Sequence, residues 1–476
     1  MRLIAIGGSD AGITAGLRAR ELDPDGEAIV IVGDAYPNFS ICGIPYYVSG
    51  EVADWRHLAH RTLDDLQATG MDVRLQTRAR SIDPQRHRVL LTSADGDQEL
   101  DYDALIIATG ARPVIPPIRG LDRLGPADGV HLLHSMGDTF ALMQTLTNRE
   151  PRRAVIVGAG YIGLEMAEAL TARGLSVTQL EQLPEVLPTV DPDLGALIHA
   201  ELERHGVTVA CQTRVDAIEM AAPGSECRLE LLATGPAGDE IRVPADVVLV
   251  VVGVRPNSEL AAAAGAKLGV KGAIEADCHM RTNLPDVWAA GDCAVTHHRL
   301  LGHSYLPLGT TAHKQGRVAA ENALGGSREF AGILGTQVVK VFELVAARTG
   351  VRDPEAQTAG FEPLTVASQA NDHTAYYPGS HPIAMRYTGD PHTGRLLGLQ
   401  LVGHLGSEVA KRVDTAATAI FSELTVEAMS DLDLSYTPPF GSPWDALQTG
   451  AQTWMRQARP PTGRPAPTER NPAVPS

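Results

Sequence analysis

The sequence predicts an α/β protein, two parallel-sheet modules followed by a smaller α+β domain, and three observations carry that prediction. Two stretches, "LIAIGGSDAGITAGLRA" near the start and "AVIVGAGYIGLEMAEALTARGLSVTQLEQ" from residue 154, each pass from an apolar strand through a glycine turn into a helix. Three more apolar runs, "YDALIIATGARP" (102–113), "VLVVVGVRPN" (248–257) and "LPDVWAAGDCA" (284–294), read as buried strands that end in small-residue turns. Beyond residue 327 the pattern changes, with β-rich "QVVKVFEL", "HPIAMRYTGD" and "RLLGLQLVG" beside the helical "EVAKRVDTAATAIFSEL".

Composition narrows the classes. The 476 residues suffice for two to four domains, and 44% hydrophobic content is that of a globular chain. A formal charge of -17 without a basic block argues against nucleic acid or an anionic membrane as partner. No apolar stretch approaches the roughly 20 residues of a membrane span, and the opening "MRLIAIGG" is too short for a signal segment, which predicts a cytoplasmic protein.

In the first motif Gly7 and Gly8 form the turn. Gly12 lets helix and strand pack closely, and the helix N-terminus around Ala11 offers N–H groups to a pyrophosphate. Ser9 stands where the middle glycine is expected, and Asp34, after "AIVIVG", is placed to bind ribose hydroxyls. The second motif has Gly158, Gly160 and Gly163, with Tyr161 and Ile162 opening the helix and Glu181 closing the next strand. An acidic group there accepts from both ribose hydroxyls and repels a 2′-phosphate, which predicts NADH in preference to NADPH. Two Rossmann-like modules predict two dinucleotides, and a nicotinamide with a flavin, FAD, is the pair that admits hydride entry and electron exit. Ala108, Thr109, Gly110, Gly253 and Gly291 mark the turns that would approach them, and Asp292 would bind a sugar or ribityl hydroxyl.

Cys42, Cys211, Cys227, Cys278 and Cys293 lack paired spacing and suit reduced thiols. Cys42 stands alone in "NFSICGIPYY" (38–47), before a helix with Pro45 near its first turn. The helix dipole aimed at the sulfur predicts a thiol pKa lowered toward neutrality. His297, His298, His303 and His313 lack the spacing of a metal site; they are expected on loops and helix surfaces, and no metal is predicted.

Over roughly residues 1–447 the chain resembles the flavin-dependent pyridine nucleotide–disulfide oxidoreductases. It is most similar to their single-cysteine branch of coenzyme A-disulfide reductases, persulfide reductases, and NADH oxidases and peroxidases. The resemblance rests on Gly7 to Gly12, "ATGARP", Gly158 to Gly163, "GDCA", "GTQVVKVFELVAARTG" (335–350), "YYPG" (376–379) and "SYTPPF" (435–440). It implies an FAD domain in two segments, 1–112 and 247–326, an inserted NAD(P)H domain at 113–246, and a C-terminal dimerisation domain at 327–450. The Pro-rich end is expected to form a disordered tail, 451–476.

The glutathione-reductase branch carries a second cysteine where this chain has Tyr47, so Cys42 would cycle between thiolate and a mixed disulfide, persulfide or sulfenic acid. Asp10 stands where the oxidases and peroxidases carry a histidine, which speaks against peroxide. Tyr436 and one of Tyr376 and Tyr377 match positions at which coenzyme A-disulfide reductases donate hydrogen bonds from the partner subunit of a homodimer. Arg18, Arg20 and Arg61 fall in segments that bind the nucleotide end of coenzyme A, and His313 lies on the helix near the flavin. The implied activity carries electrons from NADH through FAD to Cys42 and on to a low-molecular-weight disulfide such as coenzyme A disulfide, or a persulfide. The alternatives are an NADH oxidase working through a sulfenic acid and a slow redox-sensing flavoprotein.

Overall fold

The structure, a computed structural model, describes residues 1–458. It divides into two compact units, Met1–Ala346 and the remainder from Ala347.

In the first unit, β1 (Arg2–Ile6) leads through the first glycine turn into α1 (Asp10–Leu22) and back to β2 (Glu27–Ile31). Both strands join a parallel sheet in the order 287–289, 104–107, β1, β2, 72–74. Ile4, Ala5, Val30 and Ile106 are fully buried, as expected of parallel strands covered on both faces. A second parallel sheet has the order 208–210, 176–180, 153–157, 247–250, 130–132. The strand Val247–Val250 pairs with Arg153–Val157, so the expected boundary at 247 is corrected: that strand belongs to the second sheet. "VVLV" is equally apolar in either sheet, and apolarity does not say which neighbour a strand takes. The two chain crossings run side by side as an antiparallel ribbon of Ala111–Pro113 with Val254–Pro256.

Two antiparallel three-stranded sheets, spanning 78–101 and 214–245, were not anticipated. Strands such as "RARSID" and "GDQELD" are half-exposed and charged, so they lack the apolar run that marks a buried strand.

The second unit is α+β, with strands ordered 344–350, 396–404, 382–389, 364–371. The division between units falls within the first of these. The edge strand "LTVASQAN" escaped the sequence reading because its exposed face is polar. The expected tail is corrected over 451–458: those residues complete a helix, Ala446–Ala458. Ala451 and Trp454 are buried in it, and the Trp454 indole donates to the Leu364 carbonyl at 2.8 Å. Residues 459–476, the rest of the expected tail, lie outside the described residues. No helix among the described residues is long and apolar enough to cross a membrane.

Candidate active site

The first glycine turn leaves no room for side chains. Gly7 has φ +138°, and a Cβ on Gly12 would lie 2.0 Å from the Gly7 carbonyl oxygen. Strand and helix are thereby drawn together, and Ala108 packs against Gly7. Gly8 and Ala11 complete the turn, and Ser9 sits at the N-cap of α1 without a side-chain capping bond, which leaves first-turn N–H groups to a ligand. Thr109, Gly110 and Gly253 tie the crossing: the Thr109 hydroxyl donates to the Asn257 carbonyl at 2.5 Å, the Asn257 amide to the Gly110 carbonyl, and the Val114 amide to the Gly253 carbonyl.

In the second module Gly160 caps the helix Tyr161–Ala172, where a Cβ would point into open space. Gly158 and Gly163 hold the turn against the strand, Ile162 is a partly buried residue of the first helical turn, and the Glu181 carboxylate, 6% exposed, accepts from the Ala159 amide at 2.7 Å and the Leu183 amide at 2.9 Å. Glu181 therefore lies over the turn. Asp34 differs: it is exposed, three residues beyond the end of β2, and accepts from the Tyr36 amide at 2.8 Å.

Asp292 follows Gly291, whose amide donates to Gln315 at 2.8 Å. Burial, then the nearby Asp10 charge, pushes the Asp292 carboxyl up to about 6. His313 is hydrogen-bonded to Thr14 at 2.7 Å and lies 3.5 Å from Asp10. Asn38, 2% exposed, carries an amide nitrogen with no hydrogen-bond partner among the described residues. A hydroxyl donor at Asp292 and an acceptor at Asn38 would satisfy both, and with the bare turn at Gly7–Gly12 this donor and acceptor set fits FAD.

Cys42 lies in a single 3-10 turn, Ile41–Gly43, just before α2 (Ile44–Ser49). The expected lowering of its pKa is corrected. The residue is accessible, yet protein packed around the sulfur pushes the thiol up, and Glu165, Asp10 and Asp292 push it the same way. The six-residue α2 is too short for its dipole to outweigh three carboxylates. Those charges come from both nucleotide modules, which places Cys42 where the two meet. Two neighbours were missed. Glu165 is raised to about 7 by burial and Glu168, against a lowering by Lys340, and Tyr46 is raised to about 12 by burial and Glu165. Their signal was present: Tyr46 stands four residues after Cys42, and Glu165 two residues after Gly163, the last glycine of the motif.

A cleft of about 550 Å³ is lined by Arg18 and Arg61 together with His60, His313 and Arg317. Arg18 pairs with Glu21 at 2.7 Å and Glu321 at 2.8 Å. Arg20 is corrected: it lines no part of this cleft, and its guanidinium is spent on the carbonyls of Thr69, Pro24 and Gly26. Alternate residues on a helix face different ways, so Arg18 and Arg20 could not share a site. Arg317, on the helix Gly309–Ala323, was missed for want of any local motif. His298 is also corrected: it is 1% exposed, and its Nδ1 accepts from the Leu300 and Leu301 amides. His297 and His303 lie on the two strands of the same hairpin.

In the C-terminal unit Tyr376, Tyr377 and Tyr436 are 75%, 41% and 46% exposed. Tyr376 bears on Tyr436 and pushes its phenol up, and Tyr377 packs edge-on against His373.

The paired glycine turns, the acidic groups over them and the unpaired cysteine define a two-nucleotide redox enzyme. Residues 1–316 match the pyridine nucleotide-disulphide oxidoreductase model and residues 336–446 the dimerisation domain of the same family, and the chain belongs to that family. Family members work with FAD and NAD(P)H. A protein of Methanocaldococcus jannaschii named NADH oxidase is 32% identical over 461 residues, 96% of this chain and 99% of its own. An NAD(P)H coenzyme A polysulfide/persulfide reductase of Pyrococcus horikoshii is 32% identical over 94% of this chain and 96% of its own. The solved NAD-dependent persulfide reductase of A. fulgidus superposes with a TM-score of 0.90 at 36% identity, covering 96% of this chain and 83% of that one.

Proposed function

We propose that this chain is a homodimeric flavoenzyme that uses NADH to reduce a disulfide or persulfide of coenzyme A through Cys42. The observation that carries the reading is Cys42 itself, an accessible thiol on which acidic groups of both nucleotide modules bear, with tyrosine where a second cysteine would stand. Gly7–Gly12, Asn38 and Asp292 would hold FAD, and Gly158–Gly163 with Glu181 would hold NADH. When bound, FAD supplies two-electron exchange between NADH and the sulfur.

The chain's own residues do the rest. The Cys42 thiolate attacks one sulfur of RS–SR, the substrate S–S bond breaks, and RS⁻ leaves and takes a proton. The Cys42–S–S–R bond then accepts an electron pair from NADH and breaks, returning the Cys42 thiolate and a second thiol. The balance is NADH + H⁺ + RSSR → NAD⁺ + 2 RSH. A proton on Glu165 removes one of the charges that hold the Cys42 thiol up, so Glu165, poised near neutrality, tunes how readily the thiolate forms. Arg61 supplies a cation for a coenzyme A phosphate group, Arg18 and Arg317 line the same cleft while paired to Glu321, and His60 and His313 offer ring nitrogens beside them. Tyr376 and Tyr436, exposed on the domain that matches the dimerisation model, would stabilise the leaving sulfur in the opposite protomer's site.

The relative named NADH oxidase supports a second reading in which Cys42 passes through a sulfenic acid and oxygen is the acceptor. Mass spectrometry of Cys42 in the purified protein, with NADH consumption assayed against coenzyme A disulfide and against oxygen, tests the proposal. A coenzyme A adduct on Cys42 and faster turnover with the disulfide support it. An unmodified or sulfenylated Cys42 with turnover on oxygen alone overturns it in favour of the oxidase.

A further inference from the structure

Away from Cys42, three side chains of different chemistry converge in the second module. Glu185 lies in the loop after the strand Ser176–Leu180, His199 on the helix Pro192–Arg204, and Cys211 just after the strand Thr208–Ala210. Each is partly buried. Glu185 Oε1 lies 2.8 Å from His199 Nδ1 and 3.7 Å from Cys211 Sγ, and Sγ lies 4.0 Å from Nδ1. A triangle with those sides has a centre about 2.1 Å from all three atoms, against Zn–N and Zn–O lengths of about 2.0–2.2 Å and a Zn–S length of about 2.3 Å. A small displacement of the ion from that plane lengthens all three contacts toward those values and leaves a fourth, outward position for water.

We propose that Glu185, His199 and Cys211 form a binding site for a thiophilic divalent cation of the Zn²⁺ class. Carboxylate, imidazole and thiolate are the donor types such an ion selects. The surrounding charge favours a cation: Glu181 bears on Cys211, and Glu203 lies 3.7 Å from His199 Nε2. The arms of the site are fixed before any ion arrives. The Gln212 amide donates to the Leu183 carbonyl at 2.9 Å and the Thr213 amide to the Glu181 carbonyl at 2.8 Å, which zips the loop carrying Glu185 to the segment carrying Cys211. On binding, the ion replaces the Cys211 S–H proton, which passes to solvent; the proton that His199 Nδ1 shares with Glu185 is given up there and the ring keeps its proton on Nε2, facing Glu203, and no electron moves. The ion would join loop, helix and strand end in one staple.

The test uses the full-length, FAD-loaded protein and one equivalent of Zn²⁺, with X-ray absorption at the zinc edge, calorimetric titration and thermal melting. The expected result is one ion per chain, a shell with a single sulfur at about 2.3 Å and N/O neighbours at about 2.0–2.2 Å, and a raised Tm. C211S should lose the sulfur, and C211S, H199A and E185Q should each weaken binding by more than the roughly 10–100-fold that outer-shell changes cost. C278S, which alters the exposed Cys278 outside this triad, should leave both unchanged. E185Q keeps the thiol and changes only a charge, so it decides the matter should C211S fold poorly. A sulfur shell that persists in C211S, or wild-type affinity no higher than that of E185Q, overturns the assignment.

Discussion

Glu165→Gln removes a charge and almost no volume, which makes it the sharpest probe of how the structure sets the reactivity of Cys42. Glu165 is displaced from an ordinary 4.5 to about 7. It is mostly neutral at pH 6, half-ionised near pH 7 and mostly ionised at pH 8. Its upward push on the Cys42 thiol is therefore present above pH 7 and fades below it. Loss of a like charge that bears on a thiol is worth roughly one pKa unit, or about 1.4 kcal/mol. At pH 8 the variant should thus alkylate at Cys42 several-fold to about tenfold faster than wild type, and at pH 6 at nearly the same rate. Iodoacetamide labelling from pH 6 to 9, read by mass spectrometry of the Cys42 peptide, measures this. Stability supplies a second readout with its own sign. A carboxyl whose folded pKa is raised costs nothing while neutral in both states below about pH 4.5, and costs increasingly as pH rises through 7. The full displacement corresponds to roughly 3 kcal/mol, which partial exposure of Glu165 reduces to about 2. Denaturation should show the variant gaining on wild type between pH 5 and pH 8. Superimposable labelling profiles, or a gain largest at low pH, would refute the electrostatic account.

Gly12→Ala forces a Cβ to within 2.0 Å of the Gly7 oxygen, so strand and helix must part; FAD affinity, read from flavin absorbance after desalting, should fall at least tenfold. Arg317→Ala should weaken coenzyme A binding about tenfold in a salt-dependent manner, measured by calorimetry at two ionic strengths. Arg20→Ala should leave that affinity unchanged and lower stability by about 1–3 kcal/mol, because Arg20 holds three backbone carbonyls. Tyr436→Phe should cut kcat with coenzyme A disulfide about tenfold while half-reduction by NADH in stopped flow keeps its rate.

The central strands of both parallel sheets were legible because most are short apolar runs that end in glycine turns, and a turn that cannot hold a side chain writes itself into the sequence. Gly7, Gly12, Gly158 and Gly163 are of that kind. The three-residue strands 72–74, 130–132 and 208–210 carry no such mark and were not read. What escaped were features set by tertiary neighbours. Val247–Val250 reads the same in either sheet, and only pairing with Arg153–Val157 decides. Arg18 and Arg20 read alike, yet one lines the cleft and the other ties backbone. The helix through Trp454 adjoins a Pro-rich run, and composition averaged over both hides the buried face. The local dipole beside Cys42 was visible; the opposing carboxylates, at sequence positions 10, 165 and 292, were not.

The most direct measurement of the central claim is anaerobic titration of the FAD-loaded protein with NADH, comparing wild type with Cys42→Ser. The account predicts that wild type, isolated with Cys42 in a mixed disulfide, takes up one electron pair more than the variant and releases a thiol as it does so. Equal uptake, with no thiol released, would mean that Cys42 carries no electrons.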